Sequence, residues 1–224
     1  MDHLRVITTG DGSQSLLNTS LQETYHSVHG AVRESMHVFI DHGLKVAEIL
    51  HPNQVIHILE IGLGTGLNAM LTLMESRRST MKIVYETWEL HPLPDALIHQ
   101  LNYGSILGDA AAFESIHQGL WEKAFSLGEN FTLFKHRGDV VREPILGQYD
   151  LIYYDAFAPS KQAELWTLEI LKKVTDRLKP GGVWVTYCAK GQVKRDLASL
   201  GLTVETLPGS PGKKEMTRAT RRAS

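Results

Sequence analysis

One cysteine, Cys188, stands in 224 residues. It excludes an internal disulfide and any thiolate-built zinc site, since both need more sulfurs than this. No stretch approaches the roughly 18 consecutive apolar residues of a membrane helix, and the opening segment MDHLRVITTGDGSQS has no apolar centre of the signal-peptide kind. The expectation is a cytoplasmic protein without a membrane segment. Repeats, heptads and low-complexity tracts are missing as well, and so are the HExxH and GxSxG patterns of zinc hydrolysis and serine nucleophiles. The eleven histidines are scattered, so no metal is expected, and Cys188 reads as a buried residue of a core strand.

Charge of one sign is also scarce. The formal net charge of -2 does not fit a body coated in positive potential, the usual mark of a strong nonspecific nucleic-acid binder. Its distribution is uneven. From Thr186 to Ser224 there are eight Lys/Arg against three acids, net +5, which leaves -7 on residues 1–185. The basic end is either a solvated tail or a surface that meets a polyanion.

What is present is an alternation of two periodicities. Val55–Gly62 is an apolar, β-branched run that breaks into Gly-Leu-Gly-Thr-Gly before the helix-favouring LNAMLTLMES, a strand, a glycine loop and a helix. Met81–Leu90 follows as a second strand and is stopped by Pro92 and Pro94. Further strands are expected at Phe131–Phe134, Asp150–Tyr154 and Val183–Tyr187, with a helix over Ala163–Leu178 and a Gly/Pro turn at Leu178–Gly182. LTVETL and EMTRA, joined by a Pro/Gly-rich link, predict an antiparallel pair at the end. The fold class is therefore α/β, a mostly parallel, doubly wound sheet ending in an antiparallel pair. It forms a single domain, with a cap over residues 1–54, a core over 55–218 and a basic tail over 219–224.

Glu60-Ile-Gly62-Leu-Gly64-Thr-Gly66 lets backbone N–H groups approach a ligand closely. The dinucleotide fingerprint would need glycine at position 67, which is leucine, and the phosphate loop would need a Gly-Lys-Ser/Thr ending. The pattern instead resembles the first motif of the class I S-adenosyl-L-methionine (SAM) methyltransferases, which implies a Rossmann-like fold and a cofactor site at Glu60, Gly62, Gly64 and Gly66. Ligands of such sheets sit outside the carboxyl ends of the strands. There Glu89 is placed to accept from ribose hydroxyls and Asp139 from an adenine amino group.

Three further stretches, ETYHSVHGAVRESMHVFI, YDLIYYDAFAPSKQAELW and LPGSPGKKEM, are similar to the methyltransferase half of the bifunctional tRNA 5-methylaminomethyl-2-thiouridine enzymes (MnmC) and their stand-alone counterparts (MnmD). The resemblance covers Glu23 to Met216. It implies SAM-dependent N-methylation of the 5-aminomethyl group of a wobble uridine, with the tRNA anticodon stem-loop as partner and without FAD, because no second glycine fingerprint is present. It places Asp155 beside the transferred methyl and Tyr25, Ser27 and Glu34 in a segment that closes over the cofactor. Prolines at 208 and 211 depart from the glycine- and aromatic-rich pattern expected near the C-terminus.

Tyr25, Tyr154, Phe157 and Trp166 are candidates to face the base or the sulfonium, and Lys190, Lys194, Arg195, Lys213 and Lys214 to meet phosphates. Two other readings of the same residues stand beside this one: a small-molecule amine methyltransferase or aminopropyltransferase of similar fold, and a noncatalytic cofactor- or RNA-binding module.

Overall fold

The computed structural model describes residues 3–52 and 54–223. Eight strands form one sheet around β4 (Ile56–Ile61). The chain builds outward from this strand in both directions. One side carries β5 (Ile83–Glu89) and β7 (Phe131–Arg137), and the other carries β8 (Tyr149–Tyr154) and β9 (Leu178–Thr186), all parallel to it. The two-residue β6 (Phe125–Ser126) adds antiparallel to β7. At the opposite edge β10 (Leu202–Pro208) and β11 (Glu215–Arg221) form the expected hairpin, and β11 inserts between β9 and β10. Strand order thus reverses at β4, which leaves a crevice at the carboxyl ends of β4 and β8 where the two halves diverge.

The helices cover both faces. α3 (Leu67–Arg78) follows the glycine loop, with Gly66 as N-cap at φ 74°, a left-handed turn that glycine takes without a Cβ clash. The region expected as one helix over 163–178 is split: a 3₁₀ turn at Ala163–Trp166, then α7 (Leu168–Thr175), whose N-cap Thr167 Oγ1 accepts from the Ile170 N–H at 3.4 Å. α8 (Gly191–Ser199) lies between β9 and β10. No described helix is long and apolar enough to cross a membrane.

Two further details differ from the expectation. Leu178–Gly182 is not a separate turn but the bulged beginning of β9, where pairing jumps from Tyr149↔Leu178 to Leu151↔Val183 and Gly181 takes φ 77°. The tail placed at 219–224 is strand through Arg221, because Ala219 and Thr220 pair with both β10 and β9 and Arg221 pairs with Leu202. The three short helices α4 (Asp95–Ile98), α5 (Tyr103–Ile106) and α6 (Ala110–Gln118) fill the interval after β5.

The cap is more elaborate than its composition suggested. β1 (Leu4–Thr8), β2 (Gln14–Asn18) and β3 (Glu23–Thr24) make a separate antiparallel sheet. A helical segment then runs as α1 (Ala31–Ser35), a π-helical stretch over Met36–Leu44 and α2 (Lys45–Leu50). Gly43 lies in the π stretch against the sheet, where an added Cβ would stand 3.1 Å from both the Tyr153 ring and Val185. A side chain there would have to displace these neighbours by a few tenths of an ångström, so glycine lets the helix seat closely. Phe39 and Ile40 are fully buried there, Phe39 with its ring centroid 5.1 Å from that of Tyr153. The cap helix is thus part of the main core. Phe39→Ala is expected to lower the unfolding free energy by about 3–5 kcal/mol, measured by urea denaturation, and a loss below about 1 kcal/mol would show that the cap folds apart from the sheet.

Candidate active site

The crevice at the strand ends opens into a cavity of about 690 Å³, within the range of small-ligand and cofactor sites. One part of the wall is delivered by strand termini. Gly62 and Gly64 follow β4, Glu89 closes β5, Asp139 follows β7, Asp155 follows β8 and Tyr187 follows β9. Two backbone hydrogen bonds lock the floor: the Asp155 N–H donates to the Ile61 carbonyl at 3.1 Å and the Gly62 N–H to the Trp88 carbonyl at 2.9 Å.

The glycines are constrained by their neighbours. A Cβ on Gly62 (φ 93°) would lie 3.0 Å from the Asp155 carbonyl oxygen, and one on Gly64 (φ 50°) 3.2 Å from the Tyr25 ring. Glu89 is held by backbone donors on both oxygens, Gly64 N–H at 3.0 Å and His91 N–H at 2.8 Å. Each oxygen keeps a lone pair for a further donor. Asp139 accepts from the Val141 N–H at 2.9 Å, and Trp88, Leu90 and Val140 supply apolar wall beside these acids. Tyr25 comes from the cap and meets Phe157 edge to face at 4.9 Å, which roofs the glycine loop. His26 is buried beside it with Nε2 2.8 Å from Thr65 Oγ1, and burial drives its pKa down to about 4.

Asp155 is the acid at the centre. Burial, and then the nearby Glu34 charge, raise its pKa to about 7, against the hydrogen bond from Asn68. Behind it Glu60 has no solvent exposure, and burial raises its pKa to about 8.

Seven of the residues singled out in the sequence therefore meet at the cavity: Tyr25, Gly62, Gly64, Glu89, Asp139, Asp155 and Phe157. Others lie off its wall. Glu60 is sealed behind Asn68 and Thr87. Gly66 is used for the helix turn, packed against His117. The Ser27 N–H donates to Glu34 Oε2 at 2.7 Å, and Glu34 pairs with Lys213 Nζ at 2.6 Å. Trp166 is buried with Nε1 donating to the Phe157 carbonyl at 2.7 Å, so it shapes the loop after β8 from behind. Tyr154 is core, donating to the Leu165 carbonyl. Lys213 also lies over the Tyr187 ring at 4.0 Å, and Lys194 pairs with Glu215 at 2.8 Å. Lys190, Arg195 and Lys214 are exposed. Cys188 is buried, as expected, and burial pushes its thiol pKa up.

Tyr187, Lys161 and Asn68 were not singled out. Tyr187 donates to the Ala156 carbonyl at 2.8 Å and, like Lys161, lines the cavity. Asn68 had one signal, a lone amide among the apolar residues of the first turn of α3.

A parallel sheet that reverses at β4, with a glycine loop, a carboxylate ending the next strand and an acid beside that loop, defines a Rossmann-like SAM-dependent methyltransferase. Residues 117–222 match a family described as S-adenosyl-L-methionine-dependent methyltransferase. The particular relatives are the tRNA 5-methylaminomethyl-2-thiouridine biosynthesis bifunctional proteins MnmC. That of Burkholderia thailandensis is 31% identical over 208 residues, covering 87% of this chain and 32% of that protein. That of Cupriavidus metallidurans is 29% identical over 211 residues, covering 88% and 31%. The crystal structure of MNMC2 from Aquifex aeolicus superposes with a TM-score of 0.77 at 27% identity, covering 99% of this chain and 71% of that one. The chain is an MnmC-type methyltransferase-domain protein, and it spans about a third of the length of the bifunctional relatives it matches.

The raised acids give a pH signature. A carboxyl whose folded pKa lies above its unfolded value makes the native state hold more protons, so stability falls as pH rises toward the folded pKa. His26 and His117, both lowered to about 4 from 6.5, act oppositely but only below pH 6.5. Between pH 6.5 and 8 the decline from Glu60 and Asp155 prevails. The Tm of the free protein is expected to drop across that window and Glu60→Gln to flatten the drop; an equal slope in the variant would refute the assignment.

Proposed function

We propose that this chain transfers a methyl group from SAM to the nitrogen of a 5-aminomethyl group on a wobble uridine of tRNA. The observation that carries this reading is Asp155, an acid of raised pKa set against the glycine loop at the meeting of β4 and β8. The residues present fit the cofactor. Glu89 and Asp139 keep free lone pairs at the nucleoside end, the Gly62–Gly64 cradle has no room for side chains, and the cavity volume matches. When bound, SAM supplies a methyl on a sulfonium sulfur that a nitrogen lone pair can displace.

The chain's own task is alignment and proton handling. An alkyl amine has a pKa of roughly 10 and arrives as ammonium, without the lone pair it needs. Burial lowers an amine's pKa as it raises a carboxyl's, so the values of substrate and Asp155 converge inside the cavity. Asp155 accepts a hydrogen bond from the nitrogen and orients it. Before the nitrogen can act as a nucleophile, one proton leaves the ammonium for the Asp155 carboxylate and then water, which frees the lone pair that would displace the sulfur of bound SAM. Positioning is the larger part of this role, because an ionised carboxylate also stabilises the ammonium. Tyr25 and Phe157 offer ring faces and edges for the base, in keeping with a nucleotide taken out of its stack. Exposed Lys190, Arg195 and Lys214, with Lys161 at the cavity, suit a polyanionic partner. The MnmC names of the relatives support tRNA as that partner. The site lies in a cytoplasmic pathway on this reading.

Incubation of the protein and SAM with tRNA lacking the final methyl, followed by mass spectrometry of nucleosides, is expected to convert 5-aminomethyl- into 5-methylaminomethyl-uridine. Asp155→Ala should lower kcat/KM by about a hundredfold or more with little change in Tm. Transfer to free polyamines alone would replace tRNA by a small amine as substrate.

A further inference from the structure

One amide at the start of α3 ties two acids together. Asn68 Nδ2 donates one hydrogen to Glu60 Oε1 at 3.1 Å and the other to Asp155 Oδ2 at 2.8 Å. The residue is buried, and its Oδ1 has no hydrogen-bond partner. An unpaired buried carbonyl oxygen is costly, and a leucine or alanine there would continue the helix at least as well. Helix formation and packing therefore do not account for this residue, whereas a neutral group with two hydrogens on one nitrogen suits two carboxyls. A serine would supply one hydrogen, and an aspartate would add a third acid.

The surroundings are defined on every side. Glu60 Oε2 accepts from Thr87 Oγ1 of β5 at 2.8 Å, and the hydroxyls of Tyr85 and Tyr153 stand near Glu60. Asp155 feels Glu34 of α1, Lys213 of the β10–β11 loop and Tyr187 after β9. Among the described residues only Asn68 donates to the Asp155 side chain, which leaves Oδ1 without a protein donor.

We propose that Asn68 is a positioning residue: through one amide nitrogen it restrains the Asp155 carboxylate and joins it to Glu60, keeping Asp155 Oδ1 for the substrate nitrogen. The role rests on the methyl-transfer reading above, yet the linkage itself exists in the free protein. Glu60 then serves as a buried counterpart that disfavours a second negative charge in the site, while Asp155 is the acid that meets ligand.

The test is a carboxyl ¹³C NMR titration of the free protein, assigned with Asp155→Asn and Glu60→Gln. Asn68→Ala removes a donor to the ionised form and is expected to raise the Asp155 midpoint by roughly one unit, with a parallel rise at Glu60. Asn68→Ser, which keeps one donor, should shift less and serves if the alanine variant does not fold. In the same variants the acid limb of kcat/KM against pH for tRNA methylation moves up in step, while SAM affinity stays within about twofold, since the Glu89 and Asp139 wall is untouched. Unshifted midpoints in a folded variant would overturn the linkage whatever the activity. Shifted midpoints in a protein that does not methylate tRNA would leave the linkage standing and remove only the substrate.

Discussion

The adjacency of β4 and β8 is the constraint on which the site depends. Parallel pairing through Ile58↔Leu151 to Ile61↔Tyr154 brings both strands to an end at one level. The next residues, Gly62 and Asp155, then lie so close that glycine is required at the first. A side chain at position 62 would press the acid's backbone away. The glycine loop thus makes space for the backbone of Asp155 as well as for a ligand.

Burial of acids runs through the same region. Glu60, Asp155 and Glu34 approach one another from β4, the end of β8 and the cap helix, and among the described residues only Lys213 answers them with a full charge. Proteins seldom accept such crowding without a functional reason, because each ionised carboxyl loses its hydration. Here burial, and then the neighbouring Glu34 charge, raise the Asp155 pKa to about 7, the range that the proposed proton transfer calls for. The Glu34–Lys213 pair serves a second purpose: it fastens the loop between β10 and β11 to the N-terminal cap, so the first and last parts of the chain close beside the same cavity.

The cap is a structural partner of the sheet. Tyr25 rests on Gly64, His26 reaches Thr65 and Phe39 packs on Tyr153. Displacing the cap would uncover the glycine loop and part of the core together. The local exchange that admits a ligand is therefore expected to involve the residues around Tyr25 rather than the buried helix behind them.

The amino-acid sequence alone determined the alternating strands and helices, the reversal into an antiparallel pair, the glycine loop and the acids at successive strand ends, because these follow from local period, turn chemistry and spacing. It also pointed to Asp155 through DAFAPSK. Tertiary structure decided what pattern does not encode. It separated Glu89, Asp139 and Asp155, which face the cavity, from Glu60, which is sealed behind it, although all four are acids at or near strand ends. It gave Lys194 and Lys213 to carboxylates and buried Trp166 behind the loop. It folded residues 4–24 into a sheet whose strands are too short to show a clear alternation. Whether a charge meets solvent, a ligand or another charge depends on which elements the fold packs together, and that is set by contacts far apart in the chain.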